Sequence, residues 1–395
     1  MSHPPRVPFN RPVAVGTEFD YVAEAIANGQ LSSDGEFTAR CADLLREETG
    51  ARLVLLTHSC TAALEMSVML AEVSPGDEVI MPSFTFVSTA SSVVLRGGVP
   101  VFVDVRPDTL NLDEALIGDA ITSRTKAIFP VHYAGVACEM DAILEIASGH
   151  GLAVLEDAAQ GLMASYRGTP LGAIGDLGAL SFHETKNVTC GEGGALMVND
   201  DRFVERANLL RDKGTNRKQF FRGEVDRYTW VDLGSSYGLG ELNAAFLWGQ
   251  LEQRRAITRR RLKVWWRYHE AFGPLEDQGL IRRPVVPDDR LHNAHLYYLL
   301  VPDRATRDRL LVELEEREVY AVFHYVPLHS APAGRRYGRT HGTLEVTEDV
   351  SGRLVRLPLW AGMTDELVEH VIASVAEVLA SLHTRAPSAP SISPR

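Results

Sequence analysis

Three short stretches hold side chains whose types and spacing could do chemistry. The first is "SFHETKNVTCGEGG", residues 181–194, which sets Lys186 between an apolar run and a glycine cluster. Of the 40 lysine and arginine residues only five are lysines (Lys126, Lys186, Lys213, Lys218 and Lys263), so this chain uses arginine almost wherever charge alone is needed. An amine that can lose its proton forms a Schiff base; a guanidinium cannot. The scarcity of lysine weighs against a plain surface role for Lys186. The second stretch is "LEDAAQ", residues 155–160, with Asp157 and Gln160 behind a buried run. A carboxylate there caps a helix or pairs with an arginine. Beside a lysine and an anion site it has a third use, holding a protonated ring nitrogen as pyridoxal phosphate chemistry requires. The third stretch places Ser59, Cys60 and Thr61 after "LVLLT" and at the head of a helix. Free N–H groups and the helix dipole make such a turn an anion site, and an ordinary N-cap draws on the same residues.

These groups need a frame that brings them together. Six apolar runs, "LVLLT" (53–57), "DEVIMP" (77–82), "PVFVDV" (100–105), "KAIFPVHY" (126–133), "LAVLED" (152–157) and "LGALSF" (177–182), alternate with helix-length segments. That is the pattern of a mostly parallel α/β sheet, whose sites form at the carboxyl ends of the strands. All three stretches follow such ends. The run "GALMVN" (194–199) comes too soon after "LGALSF" for a helical crossover, which predicts one antiparallel strand in the parallel sheet. The glycines at 191, 193 and 194 read as a tight turn needing positive φ. They are not a dinucleotide fingerprint, because they lead into a strand.

Beyond residue 240 the pattern changes. Residues 240–272 read as one long amphipathic helix with arginines outward, bridging to a smaller domain. That domain has strand-like runs at 295–301 and 320–326 and helices near 304–316 and 364–383. The predicted division is a large domain over 1–250, a smaller C-terminal α/β domain over 251–383, and a Pro- and Ser-rich disordered tail over 384–395.

A formal net charge of −12 argues against nucleic acid or an anionic membrane surface as partners. No apolar run long enough for a bilayer stands out, "MSHPPRVPFN" lacks a signal-peptide core, and four scattered cysteines without metal-ligand spacing fit a reducing cytoplasm.

Together these motifs resemble the DegT/DnrJ/EryC1/StrS sugar aminotransferases, a branch of the aspartate aminotransferase-like (fold type I) pyridoxal phosphate enzymes. The likeness runs from "VPFNRP" (7–12) to "RLPLW" (356–360) and is carried by "PGDEVIMPSFTFVSTA", "PVHYAGVACEMD", "EDAAQG", "SFHETKN", "KGTNRKQFFRG" and "FHYVPLH". Within the family it most resembles the TDP-4-keto-6-deoxyglucose 4-aminotransferases of the enterobacterial common antigen type. The resemblance implies pyridoxal 5'-phosphate bound covalently at Lys186, with Asp157 on the pyridine nitrogen, Gln160 on the ring hydroxyl and Phe86 stacked on the ring. It implies phosphate contacts from Cys60, Thr61 and Ser181, and from Ser236 into the neighbouring subunit of a homodimer. His183 and His329 match positions near the sugar nucleotide, and the basic segment with Arg217 and Arg222 is a candidate for its diphosphate. L-Glutamate is the implied donor, a TDP-linked 4-keto sugar the acceptor. The lysine favours transamination over the dehydration performed by relatives with histidine there. A 4-keto-pentose acceptor, a sugar dehydratase and a non-enzymatic sensor on the same fold are the alternatives.

Overall fold

The computed structural model describes residues 5–385. All six apolar runs form strands of one eight-stranded sheet, in the order Leu53–Thr57, Gly194–Val198, Leu177–Ser181, Ala153–Asp157, Thr125–Ile128, Glu78–Pro82, Val99–Val103, Arg339–Thr340. Gly194–Val198 runs antiparallel to both of its neighbours; all the other pairings are parallel. The strands are buried on both faces, because helices such as Cys60–Leu70, Val87–Val94 and Met140–His150 follow them and cover the sheet.

The expected single helix over 240–272 is two helices, Glu241–Glu252 and Arg254–Ala271, broken at Gln253 (φ −97°, ψ 5°). Different cores claim the two halves. The first half packs on the N-terminal helices Glu18–Ala27 and Glu36–Thr49, where the buried Glu241 accepts from the N–H groups of Phe37 and Thr38. The second packs on the C-terminal helix Asp365–Arg385. No glycine or proline marks the break, so the amphipathic pattern ran through it unseen.

Tyr297–Leu300 pairs with Leu354–Leu357 in an antiparallel ribbon, covered by Arg254–Ala271, Arg304–Glu315 and Asp365–Arg385. The predicted strand over 320–326 is not one: Val322 makes only an isolated bridge to Arg356. Val322, Phe323, His324 and Tyr325 instead line the cavity at the carboxyl ends of the large sheet. The helix Asp365–Arg385 is long and apolar enough, by length and composition, to cross a bilayer, which corrects the reading that no such run exists. Its Val368, Val371, Val375, Val378 and Leu379 pack in the core, which accounts for the apolar composition. That helix also carries residues 384–385 of the expected tail; residues 386–395 lie outside the described residues.

Candidate active site

The carboxyl ends of the parallel strands open into a cavity of about 620 Å³. Cys60, Thr61, Phe86, Asp157, Gln160, Ser181, His183 and Lys186 all line it. The C-terminal part closes the other wall with His295, Tyr325 and Arg356.

Strand alternation settles which acid of "LEDAAQ" faces the cavity. Glu156 points away from it, accepting from the N–H groups of Gly172, Ile174 and Gly175 and pairing with His132 Nε2 at 2.9 Å. Asp157 faces in. Its Oδ2 accepts from Thr89 Oγ1 at 2.7 Å and its Oδ1 from the N–H of Ala159 at 3.1 Å. Two donors hold the carboxylate in place and leave lone pairs toward the cavity.

Lys186 sits on the loop joining Leu177–Ser181 to Gly194–Val198, its N–H donated to His183 O at 2.9 Å. Its amine has no hydrogen-bond partner among the described residues. Burial pushes its pKa below the ordinary lysine value; Cys60 and Asp157 pull the other way, and Arg356 adds to the depression. Of the five lysines it is the one that lines this cavity, where burial eases the loss of its proton.

Across the cavity, the helix Cys60–Leu70 begins at Ser59, whose hydroxyl accepts from the N–H of Ala62 at 3.1 Å. The capping reading therefore holds, and it does not use up the N–H groups that an anion site would need. Ser59 satisfies one N–H, while those of Cys60 and Thr61 find no acceptor among the described residues. Burial pushes the Cys60 thiol well up, so it stays protonated. Thr61 Oγ1 lies 2.8 Å from Ser88 Oγ. The glycine cluster departs from expectation here. Only Gly191 has positive φ (82°); a Cβ on Gly194 would collide with the backbone of Ser59 and Cys60, so that glycine serves close approach beneath the anion end.

Phe86 is 57 % exposed, a ring presented to the cavity rather than packed in the core like Phe84. Gln160 is held from both sides, its Oε1 by the N–H of Ala134 at 2.7 Å and its Nε2 on the Tyr325 hydroxyl at 3.0 Å. At the rim His183 lies 3.6 Å from Glu192.

Four residues singled out from the sequence do not line this cavity. Ser236 is exposed and bridges Asp212. Arg217 lies over the Phe221 ring, and Arg222 is paired with Glu205 and Glu224. His329 holds Ser83 Oγ at 2.7 Å and Glu348 at 3.1 Å. Sequence reasoning in turn passed over Thr89, Tyr325, His295 and Arg356. Each stands in or beside a stretch quoted above, but none has a residue type that signals a role by itself.

The cavity fits pyridoxal phosphate. It offers a deprotonatable amine, a carboxylate for a ring nitrogen, an open aromatic face, and free N–H groups at a helix N-terminus for a phosphate. Comparison with known proteins agrees. The family model "DegT/DnrJ/EryC1/StrS aminotransferase family" matches residues 13–376. The GDP-perosamine synthase of Caulobacter vibrioides is 34% identical, covering 96% of this chain and 100% of that protein. Among solved structures, the aminotransferase TlmJ from Streptoalloteichus hindustanus superposes with a TM-score of 0.87 at 30% identity, covering 95% of this chain and 100% of that one. The PLP-form of a putative sugar aminotransferase from Streptococcus pneumoniae does so with a TM-score of 0.85 at 25% identity, covering 96% of this chain and 100% of that one.

Fold and site thus define a fold type I pyridoxal phosphate-dependent transferase. Within that class, the chain belongs to the DegT/DnrJ/EryC1/StrS aminotransferase family.

Proposed function

We propose that this chain moves the amino group of L-glutamate to C4 of a TDP-linked 4-keto-6-deoxy sugar, giving a TDP-4-amino-4,6-dideoxyhexose and 2-oxoglutarate. The observation that carries the transamination is the half-buried Lys186, its amine depressed in pKa, in one cavity with Asp157. Pyridoxal phosphate, when bound, supplies the carbonyl that takes up the amino group and the ring that accepts electrons from the Cα–H bond. Asp157 keeps the ring nitrogen protonated. The N–H groups of Cys60 and Thr61, with the Ser181 hydroxyl, hold the phosphate, and Phe86 covers one ring face. Gln160, tied to Tyr325, sits at the ring hydroxyl. Lys186, as the free amine, takes the proton from the donor's Cα and returns one to C4 of the acceptor.

The acceptor rests on the resemblance, with His183 at the cavity rim and His329, Arg217 and Arg222 as candidate contacts. In this chain Arg222 already has two carboxylate partners, so of that pair Arg217 is the freer cation. Ser236 and the exposed apolar side chains of the same segment, including Phe221 and Trp230, support a homodimer in which that segment meets the partner's site. A GDP-linked acceptor is the second reading, favoured by the relative named GDP-perosamine synthase. Incubation with L-glutamate and a panel of TDP- and GDP-linked 4-keto sugars, with NMR of the products, tests both. Amination of a GDP sugar alone refutes the TDP carrier; amination of none refutes the acceptor class.

A further inference from the structure

Two asparagines interlock beside the cavity. Asn293 is buried on the turn that leads into Tyr297–Leu300, and Asn187 follows Lys186 in the chain. The Asn187 side chain grips both ends of that turn: its Nδ2 donates to Asn293 O at 2.9 Å, and its Oδ1 lies 3.1 Å from His295 Nδ1. Asn293 grips the loop opposite. Its Nδ2 donates to Gln160 O at 2.7 Å and to Leu162 O at 2.8 Å, while its Oδ1 accepts the N–H of His295 at 3.0 Å. The turn itself is unfavourable, with Ala294 at φ 52°, in the left-handed region that residues other than glycine seldom adopt. The buried Arg261 holds it there, donating to Ala294 O at 3.1 Å and to His295 O at 2.6 Å.

The two gripped loops carry different groups for one ligand. One bears Lys186; the other bears Gln160 and, three residues before it, Asp157. On pyridoxal phosphate the carbonyl that takes an amine and the ring hydroxyl occupy neighbouring ring positions, so Lys186 and Gln160 serve the same edge. Such contacts have to be kept to within about 0.5 Å of their working places. The strands beneath the loops pair only as far as Asp157 and Ala179. Beyond that point no hydrogen bond joins the Lys186 loop directly to the Gln160 loop among the described residues, and the link runs through Asn293. That side chain has little room to shift, since a Cβ on Gly135 would collide with its Oδ1.

We propose that Asn293 is a positioning residue that sets the spacing of Lys186 and Gln160, and with it how the reactive edge of the cofactor is held. The inference rests on the cofactor reading above and adds to it the residue that keeps the two contacts in register. Hydrogen exchange of the holoprotein is followed by mass spectrometry in peptides covering 157–162 and 184–189. Asn293→Ala should speed exchange in both segments by about tenfold, the effect of losing roughly one buried hydrogen bond. Asn187→Ala should do so at 184–189 alone, and it carries the test if Asn293→Ala fails to fold. Asn293→Asp keeps the bond to His295 but turns an oxygen toward two carbonyls, and should behave as Asn293→Ala does. With Gln160 displaced from the ring oxygen, the pH midpoint of the cofactor's visible band should rise by about one unit. The glutamate-driven loss of that band should slow roughly 100-fold, the scale of a misplacement near 1 Å. A merely structural asparagine would raise exchange throughout the chain and leave the midpoint where it was. Faster exchange at one segment only in Asn293→Ala, or an unmoved midpoint once both segments have loosened, overturns the proposal. If wild type develops no visible band with pyridoxal phosphate, the cofactor reading falls, and the concerted loosening of the two loops alone decides the role of Asn293.

Discussion

Replacing Asp157 by asparagine separates its electronic role from its structural one. The carboxylate accepts from Thr89 Oγ1 at 2.7 Å and from the N–H of Ala159 at 3.1 Å. An asparagine oxygen can keep the Ala159 bond. Its amide can donate to Thr89, whose hydroxyl then turns to Thr85 Oγ1, 3.1 Å away. No buried group need be orphaned, so the stability change should stay within about 1 kcal/mol. The missing charge is a different matter. Taking away one partner of a buried ion pair costs roughly 3–5 kcal/mol, and each 1.36 kcal/mol is tenfold in rate, so the glutamate half-reaction should slow by about two to four orders of magnitude. Single-turnover absorbance gives the rate, and urea denaturation of the same preparation gives the stability. A variant within tenfold of wild type in rate, but less stable by about 1 kcal/mol, would show that Asp157 is only a cap.

Lys186→Arg should fold normally and lose turnover completely, and borohydride reduction of the wild type should fix the cofactor to the peptide holding Lys186. Recovery of the label on Lys126 or Lys213 would overturn that assignment. Hydrogen bonds from Arg339, assisted by Arg124 and Thr122 against the opposing effect of burial, hold the Glu78 carboxyl down from its ordinary 4.5 to about 2. Its contribution is therefore complete above about pH 4.5 and lost as pH falls toward 2. With Arg124 64 % exposed and screened, it amounts to about 2 kcal/mol, and Glu78→Gln should flatten the acid limb of a stability-against-pH curve. A limb of unchanged slope would refute it. Sedimentation should show a dimer, and replacing the exposed Trp230 and Phe221 by serine should produce monomers with impaired turnover; monomers as active as wild type would break the link between interface and site.

The sheet was legible because burial on both faces leaves continuous apolar runs, and the antiparallel strand because eleven residues cannot hold a helical crossover. Lys186 stood out as one of only five lysines, whereas Asp157 drew notice only beside it, since a strand-end acid more often caps a helix or pairs with an arginine; the fold brings the two into one cavity. The break at Gln253 was not, since both halves of that segment are amphipathic and only their different partners divide them. The stretch over 320–326 has a strand's composition, yet cavity walls draw on the same aromatic and β-branched residues. Arg356 was hidden among 35 arginines: nothing local distinguishes one that lacks a counter-ion, because that property depends on which acids the fold brings near.

The antiparallel strand Gly194–Val198 also sets a timetable for the chain during synthesis. Leu53–Thr57, the strand that leads to the Ser59 turn, has Gly194–Val198 as its sole strand neighbour among the described residues, beyond a single bridge from Thr57 to Gly238. Until about residue 200 has left the ribosome, that early strand has no ladder to join, and its pairing must wait for more than a hundred intervening residues. The parallel strands between them can associate sooner. That pairing installs Lys186 and the Ser59 turn together, since both legs of the lysine loop and Gly194 against Ser59 belong to the same closure. A ribosome-stalled chain ending before residue 190 should not capture the cofactor, whereas one released after the Glu241–Glu252 helix has the whole phosphate side in place.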